Sequence, residues 1–167
     1  PGPHPAGVLV HGSGKVTRTM LDWLASGFRY AGVAVLAYDK RGVGESTGKY
    51  SSVGVKNSVE MLDLLSEDAL AAVAVLKSRK DIDPERIGLA GASQAGWIIP
   101  LAASRSASVK WMVILSGPAV SVGEEIKYSE LAGEAPRSRT GLSDADIEAE
   151  MKKWTGARGY DLVATPC

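Results

Sequence analysis

Ser93 stands in the run IGLAGASQAGW, residues 87–97, between small residues and at the point where a strand-like stretch gives way to a helix-like one. A serine so placed suits nucleophilic acyl transfer. A sharp strand-to-helix turn lifts the hydroxyl above the end of a sheet, and its neighbours must be small because larger side chains would collide with the reversing backbone. Gly91 meets that need two residues before the serine. Two residues after it, Ala95 stands where a G-x-S-x-G motif carries its second glycine, and Gly96 follows. The same small residues would also serve close helix–strand packing with Ser93 as an N-cap, so a second feature is needed to choose between the two.

That feature is HGSG, residues 11–14, directly after the apolar run AGVLV. Gly12 and Gly14 allow a loop to turn backbone amides toward a developing oxyanion. The two donors would be the amide of Gln94, at the start of a helix whose dipole favours negative charge there, and an amide at Ser13. His11 is expected to orient this loop rather than to act as a general base. The other histidine is His4; nine acidic residues follow Ser93 but no histidine does. A serine hydroxyl without an imidazole to take its proton is a poor nucleophile.

The elements that must hold these residues follow from the hydropathy pattern. Residues 6–10 (AGVLV) and 33–38 (VAVLAY) read as buried parallel strands. Between them, TRTMLDWLASGFRYAG sets Met20, Leu21, Leu24, Phe28 and Ala31 near one helical face, with Gly32 as its stop. In SVEMLDLLSEDALAAVAVLKSRK, Leu62, Leu65, Ala69, Ala72, Val73 and Leu76 recur at helical spacing, and Lys77, Arg79 and Lys80 sit at the C-terminal end. DIDPER reads as a turn, RIGLAG as a third strand, GASQAGWIIPLAAS as a turn into a third helix, and VKWMVILSG as a fourth strand closed by Gly117 and Pro118. Pro100 predicts a kink or a shortened first segment in the third helix. Strands alternating with helices give an α/β fold with a parallel sheet and right-handed crossovers. After Pro118, SVGEEIKYSELAG and SDADIEAEMKKW read as helices, the second with Ser143 and Asp146 in capping-box spacing, Asp replacing the usual Glu or Gln.

Composition bounds the rest. At 167 residues with 45% hydrophobic content the chain can build an ordinary single core. Nineteen basic residues balance nineteen acidic ones and no run of five like charges occurs, so the chain offers no overall electrostatic attraction for nucleic acid or an anionic membrane, and neither is expected as a partner. The longest apolar runs, such as Trp111 to Leu115, fall far short of the roughly 20 residues of a membrane span. Cys167 is the single cysteine, which rules out an intrachain disulfide and a cysteine-based zinc cluster. No cofactor and no metal are expected. PGPHPAG carries no signal-peptide pattern, and the sequence leaves location open.

Taken in order, VLVHGSG, AVLAYDKRGVGEST and DIDPERIGLAGASQAGWIIPLAA make the chain resemble the α/β-hydrolase superfamily over roughly residues 5–120, nearest to bacterial esterases and to prolyl-oligopeptidase-like and dienelactone-hydrolase-like proteins. The resemblance implies hydrolysis of a small-molecule ester or similar acyl bond. Ser93 would be the nucleophile, Gln94 and Ser13 the oxyanion donors, and His11, Gly12, Gly14, Gly91, Ala95 and Gly96 the support of loop and elbow. Asp39, Lys40, Arg41 and Gly42 would structure the floor of the site, with Asp39 and Arg41 structural. The strand order implied, numbered along this chain, is 2-1-3-4. HGSG and Ser93 then meet at the carboxyl ends of adjacent strands, where the winding reverses and ligands bind.

In this family the triad runs Ser, then Asp or Glu, then His, and the last member is missing here. The resemblance therefore implies a central excerpt of a larger hydrolase domain, opening before the family's third strand and ending, at ATPC, on the approach to another; Asp161 would precede the triad acid. Residues 1–120 are expected to be core and 121–167 a helical lid of the same domain, where Trp154, Tyr128 and Ile126 either line an acyl pocket or pack the helices together. The edges AVLAY and KWMVIL predict self-association. Two competing readings are a non-catalytic binding protein, consistent with the missing histidine, and a nucleotide-binding domain. The second fails in detail: a dinucleotide fingerprint needs Gly at Thr17, and a P-loop needs Gly at Leu9 and Ser or Thr at Val16.

Overall fold

An apolar run with no polar face can form a strand only where both faces of a sheet are covered, and AGVLV meets that condition. In the computed structural model, which describes residues 2–133 and 141–157, the run belongs to β1 (His4–Val10), flanked by β2 (Ala34–Ala37) and β3 (Ile82–Ala92). β4 (Trp111–Leu115) pairs with β3, giving a four-stranded parallel sheet in the order β2-β1-β3-β4. This is the expected 2-1-3-4 arrangement of an α/β-hydrolase core. Asp161 and Cys167 lie outside the described residues.

Successive strand residues point to opposite faces, and the core splits accordingly. On one face Ala6, Val8 and Val10 of β1 and Ile87 and Leu89 of β3 pack with Leu65, Ala69, Val73 and Leu76 of α2 (Ser58–Lys77) and Ile98, Ile99 and Ala102 of α3 (Ala95–Arg105). On the other, Leu9 and Ala90 meet Leu24 and Ala25 of α1 (Asp22–Tyr30), together with Leu21 and Val16. Each such Leu or Ile side chain removed from water contributes about 1.5–3 kcal/mol. Trp111 also covers this second face. Its indole lies across two glycines, so a Cβ on Gly88 would fall 2.0 Å from the ring and one on Gly7 2.7 Å. The same ring stacks on Phe28 at 5.7 Å.

Two expectations are corrected and a third is narrowed. DIDPER is not a turn outside the sheet: β3 starts at Ile82, which pairs with His4, and the register shifts before Ile87 pairs with Ala6, so Pro84 lies in the irregularity where its missing N–H costs no ladder bond. Met20 does not face the core and is 59% exposed, because Arg18–Leu21 form a 3₁₀ turn whose tighter period rotates Met20 off the α1 stripe. Of the two outcomes expected at Pro100, the shortened segment is not found: α3 runs from Ala95 through Pro100 to Arg105.

Among the described residues the chain forms two compact units. One runs to Val53 and resumes from Val59 to Pro118; the other joins Gly54–Ser58 to the residues from Ala119 onward. The second unit holds α4 (Val122–Leu131) and α5 (Asp144–Ala157). Both start with reciprocal capping boxes. Asp146 accepts from the Ser143 hydroxyl at 2.6 Å and its N–H at 3.1 Å, so Asp does serve in place of Glu. The α4 box, Ser121 with Glu124, has the same S-x-x-E signature. Trp154 lies against Gly123, where an added Cβ would be 3.2 Å from the indole, while Tyr128 is exposed.

Two outcomes follow from the sheet. Gly88→Ala should lower the unfolding free energy by about 1–3 kcal/mol or more, read from the denaturant midpoint, and shortening Trp111 to Leu in the same chain should recover part of it. β4 leaves Met112, Ile114 and Leu115 partly exposed at the sheet edge, and such edges pair readily. Self-association is therefore expected at high concentration by light scattering; a clean monomer would count against it.

Candidate active site

β3 ends in a turn that few side chains can make. Ser93 has φ +56° and an exposed side chain, a left-handed conformation that costs a non-glycine residue roughly 1–2 kcal/mol. Neighbouring backbone holds it there. The Ser93 N–H donates to the Leu115 carbonyl of β4 at 3.0 Å, and its own carbonyl accepts the Gly96 N–H at 2.8 Å as α3 begins. The turn is tight because the sheet closes in beside it. A Cβ on Gly91 would lie 2.5 Å from both the Val10 carbonyl oxygen and the Ala95 Cβ. Gly91 and Ala95 thus face each other, and the methyl at position 95 fits because position 91 has none. Gly96 is pressed equally hard against Gly117, where a Cβ would fall 2.7 Å from the Gly117 Cα.

HGSG sits beside this turn. Val10 pairs with Gly91 in the sheet, and a Cβ on Gly12 would lie 3.7 Å from the Ser93 Cβ. Gly14 has φ +83°, which lets the loop double back. His11 is buried, its ring edge-on to Tyr38 at 4.4 Å, and its Nε2–H donates to the Tyr38 carbonyl. A carbonyl only accepts, so Nε2 carries the proton. Burial chiefly holds the His11 pKa below its ordinary value, the nearby Lys40 charge adding to this and the Tyr38 bond opposing it. His4 lies at the opposite end of β1 from the HGSG loop.

The loop after β2, which the resemblance put at the floor of the site, also supplies the group that joins loop to turn. Lys40 is 3% exposed, and its ammonium donates to the Gly12 carbonyl at 2.8 Å and to Gln94 Oε1 at 2.7 Å. The resemblance names Lys40 only together with its loop, and the string AYDKRGVGES shows neither that its ammonium is buried nor what it bonds. Its neighbours fix the loop that carries it. The Asp39 carboxylate accepts the backbone N–H groups of Arg18 at 2.7 Å and Glu45 at 2.9 Å, and the Arg18 guanidinium at 3.0 Å. These two backbone bonds hold its pKa below the usual carboxylate range. Gly44, at φ +56°, leaves room for that carboxylate: a Cβ there would be 2.3 Å from Asp39 Oδ2. Arg41 forks onto Asp68 of α2 at 3.0 and 2.5 Å, and the Lys40 N–H donates to Val16 at 3.0 Å.

Burial pushes the Lys40 ammonium down to about 8 from an ordinary 10.5. Between those values the unfolded chain binds more protons than the folded one, so Lys40 makes stability rise with pH across that window. ¹⁵N-detected NMR of the lysine side chains should give a Lys40 midpoint near 8; a midpoint near the ordinary value would place its Nζ in water.

Among the described residues no group of three or more His, Cys, Asp or Glu side chains is gathered as a metal site, and no helix is long and apolar enough to cross a membrane. Residues 2–142 match the family model described as serine aminopeptidase, S33. An uncharacterized 31.7 kDa protein of the traX-finO intergenic region of Escherichia coli is 31% identical over 153 residues, covering 92% of this chain and 50% of that protein. Esterase EstD of Thermotoga maritima is 32% identical over 143 residues, covering 79% of this chain and 32% of its own length. The chain thus spans about half or less of these curated relatives. The crystal structure of the α/β hydrolase GrgF from Penicillium sp. sh18 superposes with a TM-score of 0.62 at 20% identity, covering 93% of this chain and 58% of that one, a likeness of fold. With its model match and its 2-1-3-4 parallel sheet, the chain belongs to the serine aminopeptidase S33 family of α/β hydrolases.

Proposed function

We propose that this chain carries the nucleophile and the oxyanion hole of a serine hydrolase acting on carboxylic esters, through an acyl-enzyme at Ser93. The observation that carries the reading is the Ser93 backbone: a non-glycine residue at φ +56°, side chain exposed, beside the HGSG loop. Strain of this kind persists only where surrounding contacts hold it, and it gathers at reactive sites. The family supports hydrolysis, and a relative named as an esterase supports the ester. In the proposed reaction the Ser93 oxygen, its proton passing to a base outside these residues, attacks the acyl carbon and the carbonyl oxygen takes up negative charge; the acyl-enzyme forms as the ester C–O bond breaks and the alcohol leaves with a proton. The backbone N–H groups of Gln94 and Ser13 receive that charge, aided at Gln94 by the start of α3.

No general base is assigned within these residues. No histidine follows Ser93 in the sequence, His11 is buried with Nε2 engaged, and His4 lies at the far end of β1. The triad acid and histidine are therefore proposed to be missing from this chain. Loss of the triad base forfeits on the order of a millionfold in turnover and leaves about 10³–10⁴ over water from oxyanion hole and binding. Residues 121–167 are proposed as a helical lid of the same domain as the core of residues 1–120.

Short-chain aryl esters should accordingly be turned over slightly or not at all. A fluorophosphonate probe should label Ser93 slowly, as read by mass spectrometry of the tryptic peptide, and Ser93→Ala should lose the label. Robust turnover that disappears in Ser93→Ala would overturn the claim of incompleteness and point first to His11. Absence of label at Ser93 would remove the nucleophile assignment and favour the chain as a binding protein.

A further inference from the structure

We propose that Lys40 is a positioning residue for the oxyanion hole, its single ammonium holding in register the two residues that carry the donor N–H groups. The proposal rests on the serine-hydrolase reading above and deepens it. Lys40 follows β2, Gly12 follows β1 and Gln94 follows β3, three strands adjacent in the sheet. The side chain extends from the end of the first to the ends of the other two, bonding the Gly12 carbonyl at 2.8 Å and Gln94 Oε1 at 2.7 Å.

The chemistry turns on the peptide unit between Gly12 and Ser13. It is trans, since Gly2-Pro3 is the cis bond recorded among the described residues, so its C=O and its N–H point in opposite directions in one plane. Anchoring the Gly12 oxygen on Lys40 fixes that plane and turns the Ser13 N–H away from the lysine. A cation on the carbonyl also polarises the unit, which strengthens the N–H as a donor. At Gln94 the lysine grips the side chain of the residue whose backbone N–H is the other proposed donor. One group thus sets the spacing between donors from two separate loops, which preorganised charge stabilisation requires.

Lys40 is also a costly way to fill space. Burial lowers its affinity for a proton, and a buried charge kept only for packing would be replaced by an apolar chain at no loss. Its backbone is held as firmly as a strut demands, by Val16 on its own N–H and by the anchored Asp39 and Arg41 on either side.

The test uses the fluorophosphonate probe on the full chain, with its saturating labelling rate and half-saturating concentration measured separately. Lys40→Met should lower the saturating rate about tenfold or more, given the 10²–10³ in rate at stake when one donor is removed outright, and leave the half-saturating concentration in place. Lys40→Arg, which keeps a charged donor, should recover part of the rate. In the wild-type chain, labelling Ser93 should shift the Lys40 Nζ resonance together with the Ser13 and Gln94 amides. Labelling at Ser93 that is unchanged in Lys40→Met would overturn the role of Lys40 and leave the hydrolase reading standing. No label at Ser93 in the wild-type chain would remove both. Should Lys40→Met not fold, a Lys40 resonance that stays still while both amides move would overturn the proposal by itself.

Discussion

The close approach of backbone to backbone around Ser93 is the constraint on which the rest of this chain depends. The left-handed turn survives because Leu115 accepts its N–H and because three positions are glycine where β3, β1 and the start of α3 crowd together: Gly91 against Val10, and Gly96 against Gly117. No side-chain interaction elsewhere could supply that geometry. The sheet order follows the same need, since only with β1 and β4 on either side of β3 can the turn lean on both.

A second layer of order is electrostatic and lies in the loop after β2. Asp39 gathers two backbone N–H groups and the Arg18 guanidinium, Arg41 is forked onto α2, and the lysine between them is turned inward. Side chains that alternate in charge along a loop ordinarily face water. Here Gly44 leaves the Asp39 carboxylate space to fold back beneath the loop, and the local turn then directs Lys40 to the ends of β1 and β3. The family resemblance identified Asp39 and Arg41 as structural, and their bonds fit that description.

The strands, the helices and the G-x-S-x-A-G turn from β3 into α3 were legible in the sequence because each rests on local rules: apolar runs, helical periodicity, and small residues at a reversal. The misreadings share a cause. Ile82 joined the sheet because His4 was there to pair with it, and Met20 left the core because the chain entered α1 through a 3₁₀ turn. Both outcomes were decided by a neighbouring segment, which a local pattern does not encode.

By itself, then, the sequence determined the class: a parallel α/β sheet, a small-residue turn around Ser93 from strand to helix, a glycine loop after the first strand, and no histidine after Ser93. Tertiary structure alone decided that Ala95 is admissible, because its methyl faces a glycine, and that His11 is turned onto the Tyr38 carbonyl. It also decided that Lys40 is buried between Gly12 and Gln94, residues separated from it by 28 and 54 positions. Contacts across such distances arise only when the sheet sets three loops side by side, so the bonds that one lysine makes to the loops after β1 and β3 are not written in any local stretch of the chain.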